Sequence, residues 1–316
     1  MGRLVEGAWH TGDLGADARG RFVRLASQFR ERITADGSSG FSPTPGRYVL
    51  YISAACPWCH RVLIALALRG LRDVFELVRV EPLMGDEGWT LAAGADPVRG
   101  ARRLYDVYLA ARPDYTGRVL VPALWDRDRA TLVNNESLDL LRMLDEAYAS
   151  DRPRLFPPER ADEVAAMIQA NYESVNNGVY KAGFAGSQQA HDDAVDALFA
   201  RLDALEALLA ERRYLLGDAL TAADVCLFPT LFRFDAIYNL HFKCSVRQLR
   251  DYPHLWGYAR DLYQTPGVAQ TCELALCREH YFTSHESVNP RRLVPRGPTP
   301  AFDAPHDRAR LVSAAR

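Results

Sequence analysis

At 316 residues the chain is long enough for two ordinary domains, and its 48% apolar content provides for sizeable cores. The formal net charge of −2 argues against a general nucleic-acid or membrane-surface role, and six cysteines in a chain this long fit a reducing cytoplasm better than a disulfide framework. No segment approaches the roughly 18 uninterrupted apolar residues of a membrane span, and residues 1–9 lack the apolar core of a secretory signal, so a cytoplasmic protein is expected.

Residues 1–46 are polar and glycine-rich, with one helix expected around 22–32 and a Pro/Gly linker over 41–46. A strand over 48–53, a helix over 57–69 and a strand over 74–80 follow, a βαβ unit whose strands should be parallel. An insertion over 81–117 carries Trp89. The next strand, 118–125, contains Pro122, which demands either an edge position or a cis turn. A short strand over 131–133 leads to Asn134 and Asn135, either of which can cap a helix reaching about 147. This β-α-β-β-α order is the thioredoxin-like arrangement.

From about 152 the character changes. Helical periodicity runs over 161–180, 187–212, 221–239 and 252–264, and Thr221 with Asp224 spells a capping box. The tail beyond 283 is rich in proline and arginine and should wrap the surface. The expected organisation is therefore an N-terminal extension (1–46), an α/β thioredoxin-like domain (47–150), an all-α domain (151–283) and a C-terminal tail (284–316).

The sharpest local signal is Cys56-Pro57-Trp58-Cys59-His60 at the strand-to-helix junction. Pro57 suits the first helical position, where a missing N–H costs nothing. Cys56 then lies at the positive end of the helix dipole, where a thiol ionises more easily, so it is the candidate nucleophile. Cys-x-x-Cys-His is also the attachment pattern of c-type haem, but no secretory signal accompanies it. Zinc would need further ligands, for which Cys272, Cys277 and His280 are candidates in sequence only. Two cysteines buried as small hydrophobes is the plainest alternative.

A series of further blocks gives these residues a context. Ala55-Cys-Pro-Trp58, Gly88-Trp89, Tyr115-Thr-Gly-Arg-Val119 with Val121-Pro122, and Asn134-Asn-Glu-Ser137 resemble the glutathionyl-hydroquinone reductases, the xi class of glutathione transferases. So do Asn176-Asn-Gly-Val-Tyr180 with Lys181 to Phe184, His241-Phe-Lys-Cys244, 262–267 and His280-Tyr281, in family order from about 48 to 298. The resemblance implies the glutathione-transferase architecture, a homodimer, and glutathione as co-substrate with no metal and no haem. Partners would be a small-molecule thiol and quinone-derived conjugates, with neither nucleic acid nor membrane.

The resemblance also implies residue roles. Cys56 would attack the sulfur of a glutathionyl-hydroquinone, leaving a mixed disulfide that a second glutathione resolves. Tyr180 would exchange a proton with the departing hydroquinone oxygen, and Tyr238 and Tyr281 would hydrogen-bond the thiolate. Arg118, Val119, Leu120 and Val121 form the binding segment; Val121 offers its backbone to the cysteinyl part, and Arg118 holds the glycyl end. Glu136 and Ser137 open a helix that takes the γ-glutamyl group, and Trp89 covers the tripeptide. Cys59 departs from the family, which commonly has alanine there. Three points stay open on sequence alone: another low-molecular-weight thiol such as mycothiol, a dithiol oxidoreductase using Cys56 and Cys59, and a non-catalytic binding module.

Overall fold

The computed structural model describes residues 2–12 and 17–312. The chain forms two compact units. The first holds residues 2–12, Arg24–Arg152 and Glu273–Val294; the second holds residues 17–23, Pro153–Cys272 and residues 295–312.

The first unit opens with an antiparallel hairpin, β1 (Gly2–Val5) and β2 (Ala8–Thr11). Its centre is a four-stranded sheet in the order β4-β3-β5-β6, from β3 (Tyr48–Ile52), β4 (Glu76–Arg79), β5 (Ala123–Asp126) and β6 (Thr131–Asn134). β3 and β4 are parallel, as the βαβ reading requires, while β5 runs antiparallel to both β3 and β6. All five residues of β3 are buried, so it reads as a continuous apolar run. Helices α1 (Pro57–Leu68) and α3 (Ser137–Glu146) pack against one another, and α2 (Leu104–Ala111) lies inside the expected insertion.

The second unit is helical: α4 (Ala161–Asn171), α5 (Gly178–Gly183), α6 (Gln188–Glu211), α7 (Ala222–Arg233), the single turn α8 (Asn239–His241) and α9 (Pro253–Gln264). Two of the periodic stretches seen in sequence are interrupted by π-helical turns, Tyr172–Asn176 and Phe234–Tyr238. The Thr221–Asp224 capping box forms, with the Asp224 carboxylate accepting the Thr221 N–H at 2.8 Å. The tail from 295 on packs on this unit. Phe302 stacks against Tyr263, and the buried Arg308 donates to the last carbonyls of α6 at Leu209 and beyond at Arg213. That satisfies acceptors which a helix end leaves open.

Four expectations are corrected. Residues 22–32 form no helix; the segment is extended, held by Phe29 and Asn135 exchanging hydrogen bonds and by Arg30 gripping Asp139 at 2.5 and 3.0 Å. Long-range pairing there outweighs the helical spacing of its apolar residues. The cap of α3 is neither Asn134 nor Asn135 but Glu136, whose carboxylate accepts the Leu138 N–H; Asn134 instead accepts the Glu136 N–H at 2.7 Å, one step earlier. The strand expected to contain Pro122 begins just after it, and the Val121–Pro122 peptide is cis. The fourth is α10 (Leu274–Ser284), which clusters with the first unit rather than the helical one. Its buried face carries Cys277, His280, Tyr281, Phe282 and Ser284, too polar a stripe to register as amphipathic.

Candidate active site

Cys56 is the N-cap of α1, with extended backbone (φ −75°, ψ 122°) and Pro57 at the first helical position. A tight turn delivers it there: Cys56 N donates to Ser53 O at 3.2 Å and His60 N to Cys56 O at 2.9 Å. The sulfur is 3.6 Å from the Val121 carbonyl, to which the thiol donates, and the residue is 8% exposed. An N-cap sulfur lies at the positive end of the helix dipole, an environment that favours its anion.

The Val121 N–H has no partner among the described residues. The segment leading to it is fixed from behind. The Tyr108 hydroxyl donates to Leu120 O at 2.7 Å, accepts the Leu120 N–H at 3.1 Å and accepts from Asn135 Nδ2 at 3.1 Å. Tyr115 donates to Arg118 O at 3.1 Å. Both polar backbone groups of Leu120 are therefore occupied, which leaves backbone pairing to Val121; Val119 and Val121 are both buried. Burial holds the Tyr108 phenol far above its ordinary pKa, so it remains a neutral hydrogen-bonding hub.

Arg118 is half-buried and has no acidic partner among the described residues. Burial, and then the neighbouring cations of Arg24 and Arg3, push its guanidinium down to about 10. It is still charged at neutral pH, and an uncompensated cation of this kind attracts a carboxylate. Arg24 also stacks over the Trp58 ring at 4.9 Å, with Arg61 over the same ring at 4.6 Å.

At the start of α3, Ser137 is buried and Glu136 half-buried. The Glu136 carboxylate accepts from Leu138 N at 3.3 Å and from Ser27 Oγ at 3.2 Å. A carboxylate beside helix N–H donors can receive an ammonium while the N–H groups receive an anion. Trp89 is 6% exposed and stacks on His280, with ring centroids 4.9 Å apart and planes at 21°. Tyr281 follows on α10, edge-on to His280 and to His285, and Cys277 one turn earlier reaches Ala54 O at 3.7 Å, two residues before Cys56.

In the helical unit Tyr180 and Tyr238 come together, with ring centroids 6.1 Å apart in a cluster with Phe184 and Phe242. Tyr238 ends the second π-helical turn and is fully buried; Tyr180 is 9% exposed. Gly183 admits this cluster, since a Cβ there would stand 2.1 Å from the Phe242 ring.

Sequence reasoning missed Tyr108, Asn135, Ser27 and Arg24. Three of them act on backbone or on other side chains from segments with no motif. Asn135 lies inside a block already singled out, where its amide could have been read as a bridge. Among the described residues no group of three or more His, Cys, Asp or Glu side chains is placed to hold a metal ion, and no helix is long and apolar enough to cross a membrane.

Residues 55–147 match the model of the glutathione S-transferase N-terminal domain, and residues 188–261 that of the C-terminal domain. The chain is 43% identical to the glutathionyl-hydroquinone reductase YqjG of Escherichia coli (strain K12), over 98% of each protein. It is 45% identical to the glutathionyl-hydroquinone reductase PcpF of Sphingobium chlorophenolicum, over 94% of this chain and 96% of that one. Among solved structures, the xi-class glutathione transferase of Natrialba magadii superposes with a TM-score of 0.91 at 43% identity, over 99% of this chain and 98% of that one. The glutathione-bound structure of YqjG gives 0.89 at 40% identity, over 98% and 99%. With such identity sustained from end to end, the chain belongs to the xi class of glutathione transferases, the family of the glutathionyl-hydroquinone reductases.

Proposed function

We propose that this enzyme uses glutathione to reduce S-glutathionyl-hydroquinones to hydroquinones through a mixed disulfide on Cys56. The observation that carries the reading is the Cys56 sulfur at the α1 N-terminus, 3.6 Å from the Val121 carbonyl and next to a Val121 N–H that has no partner among the described residues. The cysteinyl part of a glutathionyl group can pair with that N–H and carbonyl as a short strand, which brings its sulfur to Cys56. Arg118 takes the glycyl carboxylate, the start of α3 takes the γ-glutamyl carboxylate, and Glu136 takes its ammonium. Trp89 covers the tripeptide.

The Cys56 thiolate attacks the glutathionyl sulfur. The bond between that sulfur and the ring carbon breaks, its electron pair stays with the ring, and the ring takes a proton. The family resemblance gives Tyr180 the proton exchange with the hydroquinone oxygen, and Tyr238 and Tyr281 the hydrogen bonds to the reacting sulfur. A second glutathione then attacks the sulfur of the bound glutathione, releasing glutathione disulfide and the Cys56 thiol. The conjugate's thioether sulfur and the second glutathione's thiol sulfur each lose one electron to become the disulfide, the ring carbon gains those two electrons, and Cys56 is regenerated. Serine or tyrosine at position 56 could activate bound glutathione but could not form this intermediate.

The test is reduction of glutathionyl-menadione by excess glutathione. Wild type should turn over, and Cys56→Ser should lose at least about a thousandfold in rate. A protein mass increased by one glutathione, trapped before the second thiol is added, identifies the intermediate. Full activity in Cys56→Ser, or no turnover by wild type, overturns the reading. By the same resemblance the enzyme is a homodimer in the cytoplasm, and light scattering of the purified protein checks the first of these.

A further inference from the structure

We propose that His280 is a positioning residue for the thiol site, tying the loop that carries Trp89 to the helix that carries Tyr281. The inference rests on the reading of Trp89 as the cover over the glutathionyl group.

The imidazole touches the loop and the helix in different ways. Its Nδ1 lies 2.8 Å from the Pro82 carbonyl, which can only accept, so Nδ1 carries the proton and the ring is held in one orientation. Its face stacks on the Trp89 indole at 4.9 Å and 21°. Its edge meets Tyr281, the next residue of α10, at 5.3 Å and 79°. One turn further on, Ser284 Oγ accepts the Met84 N–H at 3.0 Å and lies 3.2 Å from the same Nδ1. Thus α10 holds the beginning of the 82–89 loop through hydrogen bonds and its end through a ring stack.

The other side of the loop is held by the N-terminal hairpin. Trp9 Nε1 donates to Asp86 O at 2.7 Å, and Gly88 sits so close (φ +68°) that a Cβ would stand 2.8 Å from the Trp9 ring. With the backbone clamped there, the Trp89 ring still needs a wall to define its angle, and the His280 face is that wall. The Cys56 sulfur donates to the Val121 carbonyl from the N-terminus of α1, whereas the His280 ring meets Pro82, Trp89 and Tyr281. Loss of the imidazole should therefore weaken glutathionyl binding and spare the chemistry at sulfur.

The experiment titrates reduced glutathione calorimetrically into wild type, His280→Ala, His280→Asn and Trp89→Ala, with glutathionyl-menadione kinetics alongside. His280→Ala should raise Kd and KM about tenfold with kcat within about twofold. His280→Asn, whose amide nitrogen can donate to Pro82 O in place of Nδ1, should recover part of that loss. Trp89→Ala should weaken binding as much as His280→Ala, and the double variant no further, because both changes remove one unit. Wild-type affinity in His280→Ala beside weak binding in Trp89→Ala overturns the positioning role alone. Wild-type affinity in Trp89→Ala overturns the reading of Trp89 and the positioning role with it. Should His280→Ala fail to fold, His280→Phe keeps the stack and His280→Asn keeps the donor. Both should bind more weakly than wild type, and wild-type affinity in both overturns the proposal.

Discussion

The two units hold their candidate site residues by different means. In the first, the chemistry hangs on main chain: a helix N-terminus beneath Cys56, the backbone of Val121, and the first turn of α3. Side chains such as Tyr108 serve mainly to pin that backbone. In the second unit, Tyr180 and Tyr238 depend on ring packing among Phe184 and Phe242, beside π-helical turns that shift the helical register. Backbone-built features survive most side-chain changes around them. A feature built from a phenol disappears when one oxygen is removed.

That contrast can be broken most forcefully after Cys56 itself at Tyr180. Tyr180→Phe keeps the ring and its packing and deletes only the hydroxyl, so kcat should fall about 10- to 100-fold with folding intact. Near-wild-type kcat in this variant would remove the helical unit from the chemistry. A smaller effect is expected at Arg118. Arg118→Ala should raise KM for the glutathionyl substrate about tenfold and leave kcat nearly unchanged.

Arg118 also carries a sign that can be checked without turnover. Its guanidinium is depressed to about 10 in the fold, against 12.5 for the ordinary group, so the folded state disfavours its charge. Both states hold the proton below pH 10, and that cost is present throughout the neutral range; it is relieved only as pH rises through about 10. Thermal melts at pH 7 should therefore find ligand-free Arg118→Ala as stable as wild type or more so, and less stabilised by added glutathione. A ligand-free variant clearly less stable than wild type would mean that Arg118 supports the fold.

Much of the first unit was legible because its signals are local. Pro57 after Cys56 marks a helix start, β3 is a continuous apolar run, and a proline at 122 inside an apparent strand demanded special backbone, which the structure supplies as a cis peptide before β5. The helical unit was legible through its period, including the Thr221 box, but the π-helical turns left no trace in that period. What escaped depended on distant partners. The 22–32 segment has the spacing of a helix, yet Phe29 packs flat on Tyr115 and pairs with Asn135, more than 100 residues away. α10 escaped because His280 and Ser284 face inward to serve the 82–89 loop, and polar residues facing inward look like no stripe at all.

The smallest expected effect concerns Cys59, one turn along α1 from Cys56. Its spacing is that of a dithiol oxidoreductase, where the second thiol resolves the mixed disulfide formed on the first. To do that, Cys59 must reach a sulfur at the helix end. It is instead completely buried, and its sulfur accepts the Ser53 N–H at 3.4 Å, from within the turn that presents Cys56. That places Cys59 among the side chains that shape the turn. Cys59→Ala should cost on the order of 1 kcal/mol of stability for the lost buried contact. Turnover of glutathionyl-menadione should stay within about twofold of wild type, because external glutathione resolves the intermediate. A loss beyond about tenfold would mean that α1 opens during the cycle to release Cys59, and that this chain has taken up dithiol chemistry.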